Sequence, residues 1–228
     1  MSKELFSTKE SKKANHGLAY YPMFLKISRK KCVVVGGGRV ALRKVRALLE
    51  YGASVEVISP DPCPELIELA ERGQIRILHR HYQPGDLRKA FVAIAATDNS
   101  ALNQQVVKEA KDKAVLVNVA DDAESSDFIL PSYVRRGDMT IAVSTAGRSP
   151  ALARKIRTRL EKELGDEYAS LVCLISEVRA EVRRQGIKVT GDDWQEALDL
   201  DLMIDLLKRG DDQKAKAVLL DNLKARQK

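Results

Sequence analysis

The amino-acid sequence predicts an α/β protein. Its first half is expected to form a doubly wound parallel sheet, followed by a short β segment and an α-helical C-terminal part. Three observations carry this expectation. Short runs rich in β-branched residues alternate with helical patterns through the first half. Those runs are nearly continuously apolar, as parallel strands covered on both faces require. Three consecutive glycines, Gly36-Gly37-Gly38, stand where the first strand gives way to the first helix.

Taken in order, CVVVG (32–36), VEVIS (55–59), IRILH (75–79), VAIAAT (92–97) and VLVNVA (115–120) read as strands. Between them VALRKVRALLEYG, CPELIELAERG and NSALNQQVVKEAKD place apolar residues at helical spacing. Repeated strand–helix–strand units with right-handed crossovers make residues 20–120 a single doubly wound domain. The polar opening stretch, residues 1–19, is expected to be a flexible N-terminal extension without the apolar core of a secretory signal.

The pattern changes after Asp121. The polar run DDAESSD leads into FILPSYVRRGDMTIAVST, with two strand-like runs around a turn at Arg136-Gly137-Asp138, so 121–148 forms the β segment. Residues 149–228 read as helical. Ser149 is a good N-cap, Pro150 fits the first helical position, and Gly165 marks the end of that helix. Further helices are expected at about 166–185, 192–209 and 211–226, punctuated by Gly186, Gly191 and Gly210.

The 39 basic against 32 acidic side chains give a net charge of +7, which suits a polyanionic partner. Aromatics are 5% of the chain and are not interleaved with basic runs. A stacking platform for nucleic acid is therefore absent, and no nucleic-acid partner is expected. No stretch approaches the ~18 apolar residues of a membrane span, so no membrane partner is expected either. Cys32, Cys63 and Cys173 are far apart and form no CxxC pair. They suggest no disulfide framework, and a reducing cytoplasm is the expected setting.

Gly36-x-Gly38-x-x-Ala41 fits the dinucleotide fingerprint of Rossmann-like sheets, and it lies after a strand and at the start of a helix. Gly36 permits the tight turn, Gly37 and Gly38 let backbone approach a pyrophosphate, and Ala41 is small enough for close helix–sheet packing. Arg39 and Val40 follow as cofactor-lining residues. A ligand-free glycine turn would read the same way in isolation. Pro60 and Asp61, just past the second strand, are candidates to meet the adenosine ribose. Glu56 is nearer the usual spacing but falls mid-strand, and an ordinary turn aspartate is the alternative for Asp61. No arginine stands beside Ser59 and Asp61 to meet a 2′-phosphate, which favours NAD over NADP.

Ligands of such sheets bind beyond the carboxyl ends of the strands. Ala96 and Thr97 end the fourth run and are expected to line the nicotinamide side. Asp98 either joins them or caps the helix that starts at Asn99 or Ser100. Asp121 ends the fifth run beside Asn118 and is the better candidate for chemistry, a loop-initiating aspartate being the alternative. His79 and His81 share one face of a strand end, but no third ligand is apparent. No residues are assigned to a metal.

The blocks VVVGGGRVALRKVRALLEYGASVEVISPD, AIAATDNSALNQQV, VNVADDAESSDFILPS and IAVSTAGRSPALARKIR, in this order, closely resemble the N-terminal modules of siroheme synthases, the precorrin-2 dehydrogenase / sirohydrochlorin ferrochelatase family. The likeness is strong over roughly 20–165 and loose over the helical tail. It implies NAD-dependent oxidation of precorrin-2 to sirohydrochlorin. In some members it also implies insertion of Fe²⁺, a lyase activity, to give siroheme. It further implies a homodimer formed through the β segment, and a tetrapyrrole substrate. In the family the aspartate of an asparagine–x–x–aspartate strand end serves both activities. That motif is Asn118-Val119-Ala120-Asp121 here, with Asp122 an adjacent carboxylate. The resemblance points to Asn118, Ser144, Arg148, Ser149 and Arg154 as substrate contacts. Ser144-Thr145 stand where some bifunctional relatives carry a pair of serines. The excess of positive charge has the right sign for a polycarboxylate. For Arg148 and Arg154 a solvated helix face is the alternative. A reading from another class remains open, an NAD-sensing regulatory subunit that shares the glycine loop but needs no acidic strand end.

Overall fold

The computed structural model describes residues 20–226, so the expected N-terminal extension lies outside the described residues. The chain divides into two compact units, one ending at Leu130 and the other beginning at Pro131.

The first unit carries β1 (Lys31–Val35), α1 (Arg39–Glu50), β2 (Ser54–Ile58), α2 (Pro64–Glu71), β3 (Ile75–Leu78), β4 (Val92–Ala95), α3 (Ser100–Asp112) and β5 (Leu116–Val119). The strands form one parallel sheet in the order β3-β2-β1-β4-β5. The order reverses between β1 and β4, which makes the carboxyl ends of these two strands the switch point of the fold. The register pairs Val35 with Ala95 and Ala95 with Val119, so the ends of β1, β4 and β5 lie level. The doubly wound α/β architecture expected from the alternating runs is what the sheet shows.

The strand period of two decides which layer each residue joins. Cys32, Val34, Val57 and Ile94 pack with Ala41, Leu42 and Val45 of α1 and Leu66 of α2 on one face. Val33, Val35, Ala93, Ala95, Val117 and Val119 pack with Val106, Val107 and Ala110 of α3 on the other. Burial pushes the Cys32 thiol up to about 11, so it is a core residue with little thiolate character.

The crossover from β3 to β4 contains no helix. Asp86 clamps it by a two-pronged pair with Arg80 at 2.8 and 2.7 Å and by accepting from the Gln83 amide. Glu109 of α3 then ties it to the body of the unit. Its carboxylate accepts from the Tyr82 hydroxyl, the Gly85 amide at 2.9 Å, the Leu87 amide at 3.2 Å and the Lys113 ammonium at 2.6 Å. Buried Leu87 and Tyr82 are thereby set into the α3-side core.

In the second unit β6 (Ser132–Arg136) and β7 (Met139–Val143) pair antiparallel through a turn at Gly137-Asp138, where Gly137 takes φ +56°. Arg136 donates to the carbonyls of Leu164 at 2.8 Å and Glu161 at 3.0 Å, satisfying the last turn of α4 (Pro150–Glu163). The helices α5 (Glu167–Arg184), α6 (Gly191–Ala197), α7 (Leu200–Lys208) and α8 (Asp212–Lys224) complete the unit. Leu171, Leu174, Val178 and Val182 form the stripe of α5 that packs on Met203, Leu206, Leu219 and Leu223. The single helix expected at 192–209 is two helices. Asp199 accepts from the Leu202 amide at 3.1 Å and caps α7, so the chain restarts there.

Burial works to raise the Glu109 carboxyl, but the donors gathered around it hold it below the ordinary carboxylate range. A carboxylate depressed in the folded state stabilises the fold fully above its unfolded pKa, and that stabilisation is lost as pH falls through the folded value. Glu109→Ala, which strands the part-buried Tyr82 hydroxyl and Leu87 amide, is expected to cost about 1–3 kcal/mol at neutral pH. In urea melts the gap from the parent protein should narrow as pH is lowered through the carboxylate range.

Candidate active site

Beyond Val35 the chain turns at Gly36, whose φ of +127° is open to glycine alone. Its amide continues the β2 ladder by donating to Ile58 O at 2.9 Å. A Cβ on Gly36 would stand 2.3 Å from the Ala96 carbonyl oxygen. A Cβ on Gly37 would meet Ser59 Oγ at 2.3 Å and the Asp61 carbonyl oxygen at 2.5 Å, and Gly37 O accepts from the Cys63 amide at 2.8 Å. The loops after β1, β2 and β4 therefore touch through backbone, and the first two glycines are what lets them.

Gly38 differs. A Cβ there would meet nothing within 4 Å. It is the N-cap of α1 with no side chain to offer, and the first helical bond runs from Leu42 N to Gly38 O at 3.0 Å. Uncrowded backbone at a helix N-terminus is the arrangement in which glycine makes way for an anion rather than for protein. The site fits a dinucleotide pyrophosphate on that ground. Ala41 is fully buried and gives the close helix–sheet approach, Arg39 is exposed, and Val40 is 36% exposed beside the loop.

After β2, Ser59 Oγ accepts from the Asp61 amide at 3.2 Å, which shapes the turn and leaves Pro60 and the Asp61 side chain exposed. Glu56, the alternative by spacing, is held in ion pairs with Lys31 at 3.0 Å and Arg76 at 3.3 Å. After β4, Ala96 N donates to Val35 O at 2.8 Å. The Thr97 hydroxyl donates to Asn103 Oδ1 at 2.7 Å while Asn103 Nδ2 returns a bond to Thr97 O at 2.9 Å. Asn103, buried on α3, was not singled out from the sequence; a polar residue on the inward stripe of a helix is the signal it offered. Asp98 does not cap α3. The cap is Asn99, whose Oδ1 accepts from the Leu102 amide at 3.0 Å.

The end of β5 joins the same edge, since Ala120 N donates to Ala95 O at 2.8 Å. Asn118 is 7% exposed; its Nδ2 donates to Phe128 O at 2.9 Å while its Oδ1 has no protein partner. The loop that follows is closed by Ser126, which donates to Asp122 O at 2.6 Å, and by Asp127, which accepts from Val117 N at 2.9 Å. Asp122 turns back on this loop and accepts from Ser125 N at 3.0 Å; hydrogen bonds from Ser125 hold its carboxyl below the usual range. Asp121 is the exposed carboxylate of the pair, and its φ of +63° is a left-handed conformation uncommon outside glycine. Gly36–Gly38, Pro60–Asp61, Ala96–Thr97 and Asn118–Asp121 thus share the carboxyl edge of one sheet.

Ser144, Arg148, Ser149 and Arg154 lie in the second unit. Ser144 Oγ accepts from Ala146 N at 3.0 Å, and Thr145 Oγ1 from Ser149 N at 3.0 Å. Ser149 Oγ caps α4 by accepting from Leu152 N at 3.3 Å. The turn between them uses positive φ at Ala146 and Gly147, and the exposed Arg148 and Arg154 flank the start of α4. His79 and His81 are exposed beyond β3, and no group of three or more His, Cys, Asp or Glu among the described residues is placed to hold a metal ion.

Residues 23–132 match the model of a putative NAD(P)-binding family, and residues 136–163 match that of the sirohaem biosynthesis protein central region. Over 202 residues the chain is 39% identical to a siroheme synthase of Chromobacterium violaceum, spanning 88% of this chain and 43% of that one. Over 183 residues it is 40% identical to a siroheme synthase of Nitrosococcus oceani, spanning 79% and 39%. The chain thus spans less than half the length of these curated relatives. A solved structure of SirC, precorrin-2 dehydrogenase, matches with a TM-score of 0.71 at 27% identity, covering 87% of this chain and 99% of that one.

The contrast among the glycines predicts opposite outcomes. Gly36→Ala, forced into a disfavoured φ against the Ala96 carbonyl, should cost about 1–3 kcal/mol or more in thermal or urea melts. Gly38→Ser, with open space for its Cβ and a hydroxyl able to cap α1, should hold stability or raise it by a few tenths of about 1 kcal/mol.

Proposed function

Because the chain belongs to the family of siroheme-synthase N-terminal modules, we propose that it is an NAD-dependent dehydrogenase that oxidises precorrin-2 to sirohydrochlorin in siroheme biosynthesis. The observation that carries the reading is the carboxyl edge of the sheet. There the uncrowded backbone of Gly38 and the exposed carboxylate of Asp121 stand beyond the ends of β1 and β5, with β4 between them.

Gly38 and the first turn of α1 hold the pyrophosphate, with Arg39 beside it, and Asp61 accepts from the adenosine ribose hydroxyls next to Pro60. Val40, Ala96 and Thr97 line the rest of the cofactor site, Thr97 being held in place by Asn103. NAD⁺, when bound, supplies the hydride acceptor. Asp121 takes the proton that must leave the macrocycle as the hydride departs, so the two-electron oxidation is balanced. Asn118, fixed through Phe128 O, orients the strand end. In the second unit Ser144, Arg148, Ser149 and Arg154 supply hydroxyls and cations suited to the carboxylates of a tetrapyrrole.

Ferrochelation is a separate proposal resting on the same carboxylate, which is competent to take pyrrole N–H protons as the substrate Fe²⁺ enters. Sirohydrochlorin absorbance followed with Fe²⁺ and without NAD⁺ tests it. We also propose that the protein is a cytoplasmic homodimer. Support comes from three cysteines without disulfides and from the family likeness, which implies a homodimer. Light scattering should give twice the 25.3 kDa chain mass.

Under anaerobic conditions, precorrin-2 and NAD⁺ with the protein should yield NADH and sirohydrochlorin in equal amounts; no NADH with competent substrate overturns the reading. Asp121→Asn, which tolerates the left-handed backbone, should bind NAD⁺ as the parent does and lose about 10²–10⁴-fold in kcat. Gly38→Ser should fold normally and bind NAD⁺ at least about tenfold more weakly, a loss of about 1.4 kcal/mol.

A further inference from the structure

We infer that Ser59 is a positioning residue for the cofactor. Its buried hydroxyl fixes the Pro60–Asp61 turn against the glycine loop, and so makes the site select a dinucleotide with a free adenosine 2′-hydroxyl over its 2′-phosphorylated counterpart. This rests on the dehydrogenase reading above, in which Asp61 meets the adenosine ribose and Ser59 has no part.

Burying a polar side chain is costly unless its hydrogen bonds are met. Among the described residues the buried polar side chains are Ser59, Asn103 and Asn118, at 5, 8 and 7% exposure. Each bonds the backbone of chain that follows a strand of the parallel sheet. Asn103 holds Thr97 after β4, Asn118 holds Phe128 in the return from β5, and Ser59 holds Asp61 after β2. The loop after β2 is the one on the adenosine side of such a site.

That loop offers one place to hold it. In Pro60-Asp61-Pro62 the prolines carry no N–H and have fixed φ, so the Asp61 amide is the sole backbone donor of the three. Ser59 Oγ takes that donor at 3.2 Å. The backbone of Ser59 is itself anchored, since its amide donates to Leu78 O of β3 at 3.2 Å. The same Oγ lies against the glycine loop, 2.3 Å from where a Cβ on Gly37 would stand. That Cβ would also be 2.5 Å from Asp61 O and 2.8 Å from Pro62 Cα. Gly37 O closes the far end of the turn by accepting from the Cys63 amide at 2.8 Å. Pro62 is buried, while Pro60 and Asp61 are exposed. The turn is thus gripped on both sides of Asp61, and its carboxylate is presented at a fixed place beside the glycine loop.

A fixed carboxylate discriminates where a mobile one does not. A ribose 2′-hydroxyl donates to Asp61. A 2′-phosphate brings a charge of about −1.5 to −2 to the same place, against a like charge. From Ser59 through Pro64 the one charged residue is Asp61, so no cation of the turn offsets that repulsion. Without the Ser59 bond the Asp61 segment is free to swing away from the phosphate, and the discrimination falls.

Titration calorimetry with NAD⁺, NADP⁺, AMP and 2′-phosphorylated AMP tests this on the parent, Ser59→Ala, Asp61→Ala and the double variant, with Ser59→Gly in reserve should Ser59→Ala fail to fold. The parent is expected to prefer NAD⁺ over NADP⁺, and AMP over its 2′-phosphate, by about tenfold or more. Ser59→Ala should cut both preferences by about fivefold to tenfold and raise the KM for NAD⁺, with kcat at saturating NAD⁺ within about twofold of the parent. In the Asp61→Ala background, where little preference remains, Ser59→Ala should change it by less than about twofold. If Ser59→Ala weakens the phosphorylated and unphosphorylated ligands alike, it has only loosened the fold and the inference fails. It fails too if the parent holds the 2′-phosphorylated ligands as tightly as the others, or if the two substitutions act independently. The dehydrogenase reading stands or falls separately, on NADH formed from precorrin-2 and NAD⁺, whereas a parent that binds none of the four ligands overturns both.

Discussion

The candidate site depends on how closely three loops can approach one another. At the switch point the chain leaving β1 lies against the carbonyl of Ala96 on one side and the Ser59–Asp61 turn on the other, at separations that a single methyl group would violate. Because Gly36 and Gly37 spend their freedom on protein contacts, α1 begins at a fixed place, and Gly38 is left facing open space. A rigid frame and a vacant approach for an anion are thus built from adjacent residues of the same type. The parallel sheet contributes the level strand ends that make the frame flat enough to use.

Much of this was legible in the sequence, and for physical reasons. The alternation of apolar runs with helical patterns reports burial on both sheet faces, and it located β1 through β5 to within a residue or two. The glycine loop was legible because a backbone requirement leaves no other residue type able to meet it. The break between α6 and α7 was not, because Asp199 competes with a continuous helix through one side-chain bond that hydrophobic spacing does not register. Asp98 and Asn99 are both good caps, and only the geometry of the β4–α3 turn decides for Asn99.

The site was legible unevenly. Asp121 was reached through resemblance, while its distinction from Asp122 lies in hydrogen bonds across a loop, where Ser125 claims one carboxylate and leaves the other. The half-burial of Lys44 on α1 was invisible, since a lysine in an amphipathic helix reads as part of a solvated face until the helix is laid on the sheet. Asn103 behaves likewise, a polar residue whose partner, Thr97, sits on another element. The residues that escaped the sequence are those whose meaning is a relation between elements.

The left-handed backbone at Asp121 has an evolutionary consequence. Glycine suits that conformation better than any other residue, and asparagine nearly as well, yet on the proposed mechanism neither can accept the proton. Selection for durability alone would pull this position toward residues that silence the enzyme. A population of variants screened for heat resistance should therefore accumulate robust but inert molecules by way of residue 121, and an aspartate persisting there marks a lineage still under demand for turnover.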